Sequence, residues 1–333
     1  MNSSGKVCAG IDLGGTKIAI VLGTETGRVL ANAKIETRPD YGPGQAFRRI
    51  VDALRSLSVE CDRSFEAIGL GVPGLADPEA GVIRFLPNLP AEWNGFPAAR
   101  FLSDQCGKPA YVLNDARLAA LGEFHFGSGS ASPNMLVVTL GTGIGGGLIL
   151  EGKLRLGECA AAGEIGHQTI LPDGAECGCG SFGCLETLIN GPRLASIGAA
   201  LAREGNAPRL VEIVSGKLES ISPREMALAV ERGDANVASA IEQCARYLGI
   251  GIANAVSITA VSEVVLCGGL AALGDLLLVP VKEEVAKRVR MFPADRVQVR
   301  LSDLGERVGA LGALALAFFP LFAQETAGAK DEP

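Results

Sequence analysis

Ala9-Gly-Ile-Asp-Leu-Gly-Gly-Thr16 and Val137-Val-Thr-Leu-Gly-Thr-Gly143 are two versions of one phrase: an apolar strand, then Leu-Gly with a second Gly and a Thr beside it, then another apolar stretch. They lie about 127 residues apart, which reads as an internal duplication with one copy per domain. Around the first copy, residues 7–11, 17–22 and 28–36 form three strand candidates joined by turns at 12–16 and 24–27, a meander of tight hairpins. A helix follows over 44–61, with Phe47, Ile50, Val51, Leu54 and Leu57 at helical spacing. Residues 67–72 form a buried strand ending in Pro73-Gly74. Residues 110–113 form another, ending in Asn114-Asp115, with a helix over 116–124. The pattern then restarts with strands over 135–140 and 144–150. It continues with helices over 192–203, 223–232 and 235–259, a strand over 263–267 ending in Gly268-Gly269, and a helix over 276–290.

Composition sets the outer limits. The chain has 333 residues, 48% hydrophobic and 20% charged, enough apolar material for a large core and about two domains. A net charge of -7 argues against a dedicated nucleic-acid binder and against docking on anionic lipid. Gly is unusually frequent, 44 residues, and implies many tight turns and close backbone approaches to a ligand. The N-terminus lacks the apolar stretch of a secretory signal. The apolar run over 308–324 contains glycines and Pro320 and reads as a buried C-terminal helix rather than a membrane span. Cys8, Cys61, Cys106, Cys244 and Cys267 are scattered singly in apolar surroundings, as reduced core cysteines of a cytoplasmic protein are, and Cys159 reads as core too.

Three groups of residues carry chemistry. Phosphate oxygens need backbone N–H donors at close range, and Gly14, Gly15, Gly141, Gly143 and Gly145 offer such surfaces. Thr16 and Thr142 add hydroxyls, and Asp12 is placed to hold Mg²⁺ through water. Ordinary hairpin turns are the competing reading, and two matching hairpins in two matching halves weigh against it. Gly141-Thr-Gly-Ile-Gly-Gly146 also fits the dinucleotide pattern GxGxxG, but a strand follows where that site needs a helix. The second group is His167 with Cys177, Cys179 and Cys184: three thiolates and an imidazole in a glycine-rich loop, a closed set that suits structural Zn²⁺. Free thiols or a single disulfide are the alternative, and Cys-x-Cys spacing is too short for an easy disulfide. The third group is Asp115, Glu164 and Glu186. Asp115 at the start of a helix could be its cap, but Asn114 before it caps equally well. Glu164 and Glu186 bracket the cysteine loop, and several hydroxyl-binding groups plus one base are what a sugar site requires. His125 reads as a satisfied core or surface histidine.

Together these segments resemble the ROK family of sugar kinases and sugar-responsive repressors. Asp12-Leu-Gly-Gly-Thr-Lys17 resembles the family's first phosphate loop, and Leu140-Gly-Thr-Gly-Ile-Gly-Gly-Gly147 through Gly166-His167 its long signature. Cys177-Gly-Cys179-Gly-Ser-Phe-Gly-Cys184-Leu-Glu186 resembles the zinc motif, and Asn114-Asp115-Ala116 the catalytic segment. With Gly268-Gly269 the similarity spans residues 7–319. The resemblance implies an α/β fold of two ribonuclease-H-like domains of the actin/hexokinase type around a cleft, with a zinc-binding loop. The smaller domain would take residues 1–117 and about 308–325, the larger 118–307, leaving a disordered tail over 326–333.

By the same resemblance, Asp115 takes a proton from a sugar hydroxyl, while Asn114, Glu164, His167 and Glu186 hold the other hydroxyls, His167 also ligating zinc. Gly74 and Asn88 approach the sugar. Mg-ATP lies on Asp12, Gly14, Gly15, Thr16 and Lys17 and on Gly141, Thr142 and Gly143, with Gly268 and Gly269 near the nucleotide. The implied reaction moves the γ-phosphate of ATP to a hexose. Residues 86–94 and 116–127 look most like the glucokinase members, which favours glucose to glucose 6-phosphate. N-acetylmannosamine, fructose and N-acetylglucosamine are the alternative substrates. A repressor of the family needs a helix-turn-helix ahead of its sugar-binding part, and here the first hairpin strand begins at Val7. A non-catalytic sensor would lack the base or a phosphate loop. The expected partners are a hexose and a second copy in a homodimer, with no nucleic acid or membrane.

Overall fold

The computed structural model describes residues 5–86, 89–128 and 132–321; the expectations for Asn88 and for a tail over 326–333 lie outside the described residues. The chain divides into two compact units, one running to His125 and resuming at Gly309, the other Phe126–Val308.

In the first unit, β1 (Val7–Leu13), β2 (Lys17–Thr24) and β3 (Val29–Glu36) form an antiparallel meander. After α1 (Gly42–Glu60), β4 (Ile68–Val72) adds parallel to β1. A small hairpin of β5 (Leu75–Asp77) and β6 (Val82–Phe85) and then α2 (Ala98–Cys106) lead to β7 (Ala110–Asn114), parallel to β4, and α3 (Asp115–Phe126). The sheet order is β3-β2-β1-β4-β7. β4 is buried along its whole length and β1 nearly so, which is why both read as continuous apolar runs rather than alternating ones. α1 lays Phe47, Ile50, Val51, Leu54 and Leu57 into the core, where Phe47 meets Phe96 with ring centroids 4.7 Å apart. The C-terminal helix, Val308–Phe318, packs closely on glycines of the sheet. A Cβ on Gly10 would stand 2.3 Å from the Ala310 carbonyl oxygen, and one on Gly69 1.8 Å from that of Ala313. Part of the glycine excess therefore serves helix-on-sheet contact rather than turns or ligand approach.

The second unit repeats the plan. β8 (Met135–Leu140), β9 (Ile144–Leu150) and β10 (Lys153–Arg155) form the meander. A loop region and helices α4 (Leu185–Leu188), α5 (Gly191–Arg203), α6 (Pro208–Ile213), α7 (Pro223–Glu231) and α8 (Ala235–Thr259) follow. β11 (Glu263–Cys267), α9 (Asp275–Arg288) and β12 (Gln298–Leu301) complete it. The order β10-β9-β8-β11-β12 matches the first sheet strand for strand, with β8, β11 and β12 parallel. Glu263, buried at the start of β11, is held by Arg300 of β12 at 2.8 Å.

Several sequence expectations need correction. The C-terminal helix ends at Phe318, ahead of Pro320, rather than continuing to 324. Cys159 is exposed, not core, and Cys61 and Cys106 are half-buried. β5, β6, α2, α4, α6, β10 and β12 were not anticipated; each has nine residues or fewer, too short for a sustained periodic pattern. Among the described residues no helix is long and apolar enough to cross a membrane.

Candidate active site and metal centre

The β1–β2 hairpin is closed by the Gly14 N–H donating to the Lys17 carbonyl at 2.9 Å. Thr37, fully buried, braces it from β3's end. Its hydroxyl donates to the Gly14 carbonyl at 2.7 Å, and its N–H donates to the Thr16 carbonyl at 2.9 Å. Thr16 and Lys17 are exposed, and Gly14 and Gly15 half-buried. Asp12 stands at the base of this turn. A Cβ on Gly309, in the first turn of the C-terminal helix, would come within 2.3 Å of its Oδ2. Among the described residues no side chain or backbone donor pairs with the Asp12 carboxylate. Burial pushes its pKa up from the ordinary carboxylate value. A carboxylate so placed is stabilised by a cation or a proton.

The β8–β9 hairpin is held differently. The Gly141 N–H donates to the Gly143 carbonyl at 3.0 Å, and the Gly191 N–H, at the start of α5, donates to the Gly141 carbonyl at 2.8 Å. Asn190 caps α5 by accepting the Arg193 N–H at 2.7 Å, and its Nδ2 donates to the Glu186 carbonyl at 2.9 Å. The Glu186 carboxylate reaches the same hairpin and accepts the Ile144 N–H at 2.7 Å. A Cβ on Gly143 would sit 2.4 Å from Glu186 Oε2, so the glycine there makes room for the glutamate. Gly268, at the end of β11, has φ 92°, and a Cβ on it would meet the Leu140 carbonyl oxygen at 2.5 Å. A Cβ on Gly269 would meet nothing within 4 Å, leaving that position open to an incoming group.

The catalytic candidates sit where β7 passes into α3. Asn114 is the cap: its Oδ1 accepts the N–H groups of Ala116 at 3.0 Å and Arg117 at 3.3 Å. Its Nδ2 donates to the Gly74 carbonyl at 2.8 Å, which ties the end of β7 to the turn after β4. Asp115 Oδ1 shares the Ala116 N–H at 2.8 Å. His125, near the other end of α3, stacks on Phe319 with centroids 4.1 Å apart, and burial lowers its pKa.

The cysteine loop gathers its ligands. His167, Cys177, Cys179 and Cys184 bring one ligand atom each to within 4.8 Å of all the others. Cys177 Sγ is 3.7 Å from His167 Nδ1, and Cys179 Sγ is 3.8 Å from Cys184 Sγ. Four ligands placed tetrahedrally at ~2.3 Å from a metal have edges of about 3.8 Å, whereas a disulfide holds its sulfurs at ~2.05 Å. Glycine makes the fold of this loop feasible: Gly183 has φ 65°, and a Cβ on it would collide with the Leu171 carbonyl oxygen at 1.5 Å. Burial pushes the Cys184 thiol up to about 11 and raises Cys177, while the Ser181 N–H lowers Cys179. Three thiols so close need a cation before all can ionise. His167 Nε2 lies 3.9 Å from Glu164 Oε2, close enough for a charge interaction but too long for a direct hydrogen bond.

Thr37 and Asn190 are the supporting residues that sequence reasoning missed. Asn190-Gly-Pro192 carries a recognisable signal, a cap followed by proline in the first helical turn. Thr37 carries none, because its partners are carbonyls across the hairpin.

The family relationship follows from comparison with known proteins. A glucokinase from Halalkalibacterium halodurans is 34% identical over 91% of this chain and 92% of its own length. The crystal structure of a ROK family glucokinase from Streptomyces griseus in complex with glucose and AMPPNP is 32% identical. It superposes with a TM-score of 0.80 over 94% of this chain and 99% of that one. A ROK hexokinase from Thermus thermophilus is 34% identical, with a TM-score of 0.78 over 94% of this chain and 98% of that one. The sequence model of the ROK family matches residues 8–318, from β1 to the end of the C-terminal helix, and the chain belongs to that family.

Proposed function

We propose that this chain is an ATP-dependent hexose kinase that phosphorylates glucose to glucose 6-phosphate. The start of α3 carries the reading: Asn114 accepts the Ala116 and Arg117 N–H groups, so the helix start keeps a cap without Asp115, whose carboxylate shares only the Ala116 N–H with it. The relatives support it, since the Streptomyces griseus glucokinase was crystallised with glucose and a nucleotide.

Phosphoryl transfer is mostly positioning and charge stabilisation. Asp115 accepts the proton of the attacking sugar hydroxyl. Asn114, Glu164, His167, Glu186 and Gly74 hold and orient the hexose. Backbone N–H groups and hydroxyls of Gly14, Gly15, Thr16, Gly141, Thr142 and Gly143 receive the nucleotide phosphates, with Lys17 and Gly269 beside them and Gly268 setting the turn. Asp12, half-buried without a counter-charge among the described residues, fits a hydrated Mg²⁺, which when bound supplies charge neutralisation along the triphosphate. The Cys/His set fits structural Zn²⁺ by ligand type and by edge length, and a closed set leaves no position for a metal-bound water. Its part is to fix the loop that aims Glu164 and Glu186.

ADP release coupled to oxidation of reduced nicotinamide, run over a panel of hexoses and N-acetylhexosamines, tests the reading. Glucose is expected to give the highest kcat/KM. Sugar-independent ADP release, or none with any hexose, would overturn the assignment.

A further inference from the structure

Arg117 lies on α3, two residues beyond the proposed base, and is only 2% exposed. Its Nη1 donates to Asn114 Oδ1 at 3.1 Å. That oxygen already accepts the N–H groups of Ala116 and Arg117, so three donors converge on an atom with two lone pairs. The opposite end of the same amide, Nδ2, donates to the Gly74 carbonyl and carries a second hydrogen. Turning the amide over would set an NH₂ group against a guanidinium and two backbone N–H donors, and a carbonyl oxygen against the Gly74 carbonyl. Backbone capping alone would favour the observed orientation; the buried cation makes the reverse one far more costly.

We propose that Arg117 is a positioning residue that locks the Asn114 amide so that it meets the sugar only as a hydrogen-bond donor. The oxygen is saturated and cannot accept from a hydroxyl. The second Nδ2 hydrogen is the one polar handle this side chain can extend to substrate. The sugar hydroxyl facing Asn114 must therefore act as an acceptor there. The inference rests on the hexose-kinase reading for its substrate, but not for the locked amide itself.

Deoxy and deoxyfluoro sugars separate the two roles of a hydroxyl, because fluorine accepts a hydrogen bond but cannot donate one. At one of the ring positions C2 to C4, the wild-type enzyme should lose about tenfold in kcat/KM with the deoxy sugar and less than about threefold with the deoxyfluoro sugar. Arg117→Met should bring the two analogues to within about twofold of each other and raise the glucose KM about tenfold, while Arg117→Lys, which keeps a donor and the charge, restores the wild-type pattern. An unchanged analogue ratio and KM in Arg117→Met would overturn the proposal. If the Met variant does not fold, failure of Arg117→Lys to keep the wild-type ratio serves the same purpose. A second measurement needs no sugar. In ¹⁵N-labelled protein the Asn114 Nδ2 hydrogen bonded to Gly74 should exchange with water about tenfold faster in Arg117→Met than in wild type. Equal exchange would remove the lock even if the chain phosphorylated no hexose, whereas an intact lock without kinase activity would leave this inference standing and sink the substrate reading.

Discussion

Asp115 and Asn114 are neighbours that share the Ala116 N–H, and the proposed roles of base and cap can be tested one side chain at a time. Asp115→Ala should lower kcat by about 10² or more, the usual scale for a lost general base, while melting within a few degrees of wild type because Asn114 still caps α3. Asp12 makes a different prediction. Burial raises its pKa, so the folded state holds a proton that the unfolded chain has released. The sign follows directly: in metal-free protein this contribution to stability is fully present below the unfolded value, about 3.9, declines as pH rises toward the folded value, and is flat beyond it. Asp12→Asn removes that decline. Its melting temperature should gain on wild type as pH is raised, while its activity with Mg-ATP falls. Parallel melting curves for the two proteins across that range would show that Asp12 is not held against its charge.

Single elements carry the next set of consequences. The loop from His167 to Cys184 owes its shape to glycines and gathers four candidate metal ligands; on the zinc reading proposed above, Cys179→Ser should lose bound zinc, measured by atomic emission, and glucose affinity together. A zinc-free protein with an unaltered glucose KM would uncouple loop and sugar. The C-terminal helix rests on Gly69 closely enough that Gly69→Ala must push backbone apart, and a loss of about 2–3 kcal/mol in urea unfolding is expected. These elements also mark what the sequence made legible. The first meander, the β8–β9 hairpin, α1, α8 and the strands β4, β7 and β11 could be read from apolar runs bounded by glycine and turn residues. The cysteine loop could be read because ligand chemistry fixes residue types and spacing. β12 could not, since its burial is set by neighbours distant in sequence, and α2, although amphipathic, has only nine residues. Nor could the Glu186 bond to the Ile144 N–H, a contact 42 residues long with no local signature.

Across the whole molecule the recurring fact is duplication. Two five-stranded sheets share one strand order, and in each the hairpin between the first two strands carries the glycines assigned to phosphate. The two copies have diverged in how they are braced: a buried threonine steadies the first hairpin, and Glu186 with the start of α5 steadies the second. The most direct test combines calorimetric glucose binding with ADP release in the Asp115→Asn protein. Glucose affinity retained within about tenfold, with turnover reduced by about 10² or more, is the predicted result. Turnover near the wild-type rate would contradict it.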